Sequence, residues 1–141
     1  MTVVTAQADA KEQKLYYEYQ GESDEMVGTR NARVLLEHGA DVNARDDTHS
    51  TPLHLASYMG NGKAVGLLIQ HGADVNAQDE RQRTPLHRVV SSCLTLRREI
   101  VHLLLCNGAN VGAEDDKGRT PFQIASSSGL YEIAESLQLH Q

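Results

Sequence analysis

Aliphatic side chains recur along this chain in paired short stripes separated by glycine. Leu53 and Ala56 stand three apart after a Thr-Pro step, and Val65, Leu68 and Ile69 follow at i, i+3, i+4. Each set falls on one face of a helix. Thr51 predicts the N-cap of the first helix, because its hydroxyl can accept from an orphan backbone N–H, and Pro52 suits the first helical position. That helix is expected to end near Gly60, and a second to run from about Lys63 to His71. Gly72 then supplies a left-handed C′ residue without a Cβ penalty. Two such helices cannot bury their apolar faces alone, so further copies must stack against them.

Further copies are present. "GADVNA" occupies 39–44 and 72–77 and returns as "GANVGA" at 108–113; "TPLH" occupies 51–54 and 84–87 and returns as "TPFQ" at 120–123. Both landmarks advance by 33 residues and then by 36, so one insertion between Thr84 and Gly108 accounts for both shifts. From Glu99, "EIVHLLLCNGAN" aligns with "KAVGLLIQHGAD", which confines the three extra residues to "VSSCLTLRR", the loop between the helices. A loop lengthened there costs little. Leu94 and Leu96 are expected to fold over the helix ends while Arg97 and Arg98 stay in water.

The stretch "TPLHLASYMGNGKAVGLLIQHGADVNAQD" resembles the ankyrin repeat in its Thr-Pro-Leu-His entry, inter-helix glycine, Leu-Leu core and Gly-Ala-Asp exit. The resemblance covers roughly 28–141 and implies an all-α solenoid of stacked antiparallel helix pairs with projecting hairpin-like loops. About three and a half repeats are expected in residues 28–141, the third with the three-residue insertion. Residues 1–27 are read as a divergent N-terminal helix and an acidic linker. In the fourth copy Ser136 replaces a core Leu, and Glu132 and Glu135 add polarity, as suits a cap with a wet outer face.

The resemblance also implies roles for single residues. His54 and His87 would tie neighbouring turns together, while Asn43 and Asn76 would stabilise the exit hairpin and are of the kind that an asparaginyl hydroxylase modifies; the third copy has Gly112 there. His38 and His71 fall in a last helical turn, where a donor near free carbonyls is favourable. The hairpin tips and first helices would form a concave recognition face. At the tips its expected contact residues are Asp47, Thr48, Ser50, Glu80, Arg81, Arg83, Asp116, Lys117 and Arg119. The first helices add Tyr58, Met59, Ser91 and Ser92. The tip glycine of the family is kept at Gly118 but becomes His49 and Gln82, so those two tips are expected to bend differently.

Composition narrows the choices. The 141 residues fit one domain, and with 4% aromatics and no Trp its core must come from Leu, Val, Ile and Ala. A net charge of −6 disfavours a nucleic-acid partner, which needs clustered Lys and Arg. No apolar run approaches the ~20 residues of a membrane span. Cys93 and Cys106 read as free thiols in a reducing compartment, and "MTVVTAQADAK" lacks the pattern of a secretory signal. An intracellular location, cytoplasmic or nuclear, is therefore expected.

Candidate chemistry is thin. Seven histidines invite a metal, yet there is no HExxH and no CxxC, and no metal or cofactor is expected. Cys93 lies near basic residues but has no implied His–acid partner, and no GxSxG, P-loop or GxGxxG occurs. The favoured reading is a non-enzymatic protein-interaction module, a scaffold or adaptor. It is expected to be monomeric, with self-association through an exposed terminal repeat as the exception. Two alternatives stand beside it: a structural piece of a longer array, and, least favoured, an enzyme with an unrecognised site.

Overall fold

The structure, a computed structural model, describes residues 32–92 and 97–141. Seven helices and no strand lie among the described residues: α1 (residues 32–37), α2 (Pro52–Met59), α3 (Gly62–Gln70), α4 (Pro85–Ser91), α5 (Arg97–Cys106), α6 (Pro121–Ser127) and α7 (Tyr131–Leu139). Helices α2 and α3, α4 and α5, and α6 and α7 form the successive pairs. First helices α2, α4 and α6 pack in one row, and second helices α3 and α5 pack in another. The expected N-terminal helix and acidic linker, together with Cys93, Leu94 and Leu96, lie outside the described residues.

Each first helix starts on the same local chemistry. Thr51 Oγ1 accepts from the backbone N–H of His54 at 3.4 Å, and His54 Nδ1 accepts from the Thr51 N–H at 3.1 Å, a capping box with histidine in the role more often taken by glutamate. Thr84 and His87 repeat it, and Thr120 with Gln123 repeats it with an amide. The proline after each threonine lacks only an N–H that would have been orphaned there.

Because Nδ1 of His54 accepts, Nε2 carries the proton and donates to the carbonyl of Arg83, 2.8 Å away in the next repeat. His87 does the same with Arg119 at 2.9 Å. The expected tie between neighbouring turns is thus present. His38 and His71 also stand as expected, their Nδ1 atoms 2.7 and 2.9 Å from the carbonyls of Val34 and Leu67.

The core is a continuous aliphatic seam. Leu53, Ala56, Val65, Leu68, Leu86, Val89, Ile100, Leu104 and Leu137 are buried in it, with Ala64 and Leu67 widening the α3 stripe beyond the three positions expected. Helix α3 starts at Gly62, where Asn61 Oδ1 accepts from Ala64 N–H at 3.0 Å. It ends as expected: Ala73 N–H returns to Leu68 O and Gly72 takes φ +88°. In α7, Ile133, Ala134 and Leu137 face inward while Glu132 and Glu135 stay exposed.

One expectation needs correction. Arg97 is half-buried rather than in water: α5 begins at this residue, and its Nε is shielded from solvent. Arg98 is exposed and meets Glu132 of α7 at 3.4 Å.

The buried imidazoles make the array sensitive to acid. Burial pushes the pKa of His54 down to about 4, the hydrogen bond to Arg83 only partly opposing it, and His87 moves in the same direction. Above about pH 7 neither the folded nor the unfolded chain protonates these rings. As pH falls through about 6.5 the unfolded chain gains protons that the fold refuses. For His54 the resulting loss, accumulated down to pH 4, is on the order of 3 kcal/mol. Urea unfolding between pH 7 and 4.5 is expected to show this decline, and His54→Gln, which copies Gln123, to flatten it while costing about 1–2 kcal/mol at pH 7.

Candidate protein-binding face

Three tips connect the repeats, and each is organised by one aspartate. Asp46 Oδ1 accepts from the N–H groups of Thr48 and Ser50 at 2.8 and 3.0 Å. Asp79 Oδ1 accepts from Arg81 and Arg83, and Asp115 Oδ1 from Lys117 and Arg119, all at 2.9 Å. Asp79 and Asp115 are buried. Burial alone would raise their pKa values. The backbone N–H and guanidinium of the arginine four residues on, Arg83 or Arg119, outweigh it and hold both carboxyls below the usual range. That guanidinium lies against the second carboxylate oxygen at 2.9–3.0 Å.

The same anchoring corrects the expectation that the tips differ. His49 and Gln82 adopt φ 60° and 57°, beside 72° for Gly118. The backbone N–H at this position reaches the anchoring aspartate's carbonyl at 3.0, 2.9 and 2.9 Å in the three tips. A non-glycine residue pays about 1–2 kcal/mol for the left-handed region. The Asp hydrogen bonds hold the turn regardless, so all three tips share one bend.

Successive tips and exits are locked edge to edge. Glu80 N–H donates to Thr48 O at 3.0 Å and Asp116 N–H to Arg81 O at 2.9 Å. Arg45 Nη1 donates to His49 O and, across the repeat boundary, to Gln78 O at 2.7 Å. Asn43 donates to Gly72 O at 3.3 Å and accepts from Asp74 N–H at 2.8 Å; Asn76 repeats the pair with Gly108 O and Asn110 N–H. The asparagines therefore join one exit to the next, a longer reach than stabilising their own hairpin. Gly112 has no side chain to do so.

Most of the expected contact residues stand in the open. Asp47, Thr48, Tyr58, Glu80, Arg81, Ser91, Asp116, Lys117 and Arg119 are exposed, and Met59 and Arg83 are half-buried. Two are corrected. Ser50 is 1% exposed, enclosed by the turn that Asp46 closes, and Ser92 is 3% exposed as the C-cap of α4, donating to Val89 O at 2.9 Å. Neither is presented to a partner. Thr48, Arg83 and Arg119 also spend hydrogen bonds within their own tips.

One residue of this face was missed. Arg88 occupies the α4 position held by Leu55 in α2 and Ile124 in α6, both buried. Its guanidinium lies 4.8 Å from the centroid of the Tyr58 ring and reaches Asp79 Oδ2 at 3.6 Å. The available signal was its position within the repeat: TPLHL and TPFQI are apolar where TPLHR is charged.

Other chemistry is sparse. Cys106 is exposed on α5, with its sulfur 3.5 Å from Nε2 of His102. Among the described residues no group of three or more His, Cys, Asp and Glu is placed to hold a metal ion. Nor is any helix there long and apolar enough to cross a membrane.

Comparison with known families agrees with this architecture. A family model described as Ankyrin repeats (3 copies) matches residues 20–79, and one described as Ankyrin repeat matches 81–116. No curated protein matches the chain.

Relief of the left-handed strain is measurable. Gln82→Gly is expected to stabilise the fold by up to about 1 kcal/mol, the gain being trimmed by the added freedom of glycine in the unfolded chain. Gln82→Val is expected to destabilise by more than about 1 kcal/mol. Chemical denaturation of the two variants beside the parent checks both.

Proposed function

We propose, because the chain belongs to the ankyrin-repeat family, that it acts as a non-enzymatic protein-interaction module whose partner lies across the hairpin tips and first helices. Ankyrin repeats in general mediate protein–protein binding; the choice of face and residues is specific to this reading. The observation that carries it is the locking of the tips: Asp46, Asp79 and Asp115 fix each turn, and backbone bonds join each tip to the next. Side chains on such a frame are ordered before a partner arrives, so little conformational entropy is lost on binding.

The face combines apolar and charged groups in one strip. Tyr58 is 45% exposed at the end of α2 with Met59 beside it, and Arg81, Lys117, Glu80 and Asp116 project from the tips. Tyr and Met are enriched at protein interfaces. Asn43 and Asn76, exposed at the exits, are the positions an asparaginyl hydroxylase would take; each is held by two cross-repeat hydrogen bonds.

Affinity capture from native extract tests the face. Combining Tyr58→Ala, Met59→Ala and Arg81→Glu is expected to reduce recovery of the specific partner by at least about tenfold, while helical content and thermal unfolding stay near the parent. Recovery unchanged by the triple variant would place the binding surface elsewhere.

A further inference from the structure

Arg88 is a cation with unspent hydrogen-bonding capacity. Its Nη1 lies 3.6 Å from Asp79 Oδ2, beyond the ~2.7–2.9 Å of a charge-assisted hydrogen bond. Asp79 is already taken. Oδ2 receives Nε and Nη2 of Arg83 at 2.9 Å each, and Oδ1 receives the N–H groups of Arg81 and Arg83. Nε of Arg88 is buried with no acceptor, so only the 14% of the side chain that stays open can meet a partner. The Tyr58 ring at 4.8 Å supplies attraction to the charge but no lone pair for an in-plane hydrogen bond. A side chain in this state is a poor exchange for the leucine or isoleucine of the neighbouring copies, since an imperfectly matched charge costs stability.

The hairpin tips also carry positive charge that is uncommitted. Arg81 and Lys117 hold equivalent positions on consecutive tips, both exposed, and neither forms an ion pair among the described residues. The two tips are in register through the bond from Asp116 N–H to Arg81 O. One residue before each stands an acid, Glu80 or Asp116.

We propose that this face recognises acidic side chains of a partner protein: a carboxylate is received at the Arg88 guanidinium beside the Tyr58 ring, with Arg81 and Lys117 flanking it. The inference rests on the reading that tips and first helices form the binding face. Charge complementarity selects the occupant. A carboxylate matches the planar fork of a guanidinium, and its methylenes can lie along the exposed tyrosine ring. A phosphate backbone would hold its charges rigidly beside the acidic row of Asp47, Glu80 and Asp116, whereas the flexible side chains of a glutamate peptide can swing toward the cations and away from that row. Stacked helices lie about 8–10 Å apart. A polyproline II segment turns once every three residues and advances about 3.1 Å per residue, so carboxylates three residues apart lie on one side at the spacing of consecutive tips.

The intact, isotope-labelled protein is titrated at low salt with hexaglutamate and, as the uncharged control, hexaglutamine. Hexaglutamate is expected to move the resonances of Tyr58, Arg81 and Arg88 and to weaken as salt rises. Arg88→Leu, which restores the residue type of the second copy, is expected to keep the fold and lower hexaglutamate affinity at least about tenfold. Arg81→Ser with Lys117→Ser is expected to lower it severalfold through a route independent of the α4 packing.

The proposal is overturned by no response to hexaglutamate, by an equal response to hexaglutamine, or by Arg88→Leu binding like the parent. A twenty-nucleotide oligothymidylate binding more tightly at equal salt would also overturn it, showing a phosphate reader. Partner capture lost with Tyr58→Ala and Met59→Ala but kept with Arg88→Leu removes only the acid preference. Capture kept in all of these removes the face itself.

Discussion

A buried neutral imidazole joins the second repeat to the third, and another joins the third to the fourth. One ring nitrogen completes the cap of its own helix and the other reaches a carbonyl in the following tip, so His54 and His87 each settle a local and a long-range question at once. The carbonyls of Arg83 and Arg119 close the turns that Asp79 and Asp115 anchor, through bonds from the aspartate N–H groups. Helix start, tip geometry and repeat spacing therefore form one connected network. A change at any member is felt by the others, because a buried donor or acceptor left alone is costly.

The tips show how such a network overrides intrinsic preference. Histidine and glutamine are poor occupants of a left-handed position, yet both adopt it, because the aspartate ladder specifies the turn more strongly than one residue can resist. The charges used in that ladder are largely neutralised from within. Asp79 with Arg83, and Asp115 with Arg119, are internal pairs. The charge offered outward is carried by their neighbours at Arg81, Lys117, Glu80 and Asp116.

Much of this was legible in the residues because repetition multiplies a weak signal. Thr51-Pro52, Leu53, Ala56, Leu68 and Gly72 each took their expected places, and the fold followed from their recurrence in one register. The start of α5 was less legible: it lies at Arg97, inside the stretch where the repeat period breaks. The face was legible as a strip but not residue by residue. Position in a copy indicates which side chains stand near a tip, whereas burial depends on hydrogen bonds no periodicity encodes. Ser50 and Ser92 were lost to such bonds, and Arg88 was hidden because the copies are recognised by the apolar residues they share rather than by the one slot that departs from them.

Exits are bridged by asparagine between the first and second copies and again between the second and third, whereas the third copy carries Gly112 there. Cohesion along the stack is thus uneven. In a quasi-one-dimensional assembly, where each unit is held only by its neighbours, the weakest junction sets where disassembly begins. At the third exit this bridge has no counterpart, and the third and fourth units are held instead by the His87 bond to Arg119 and by the aliphatic seam.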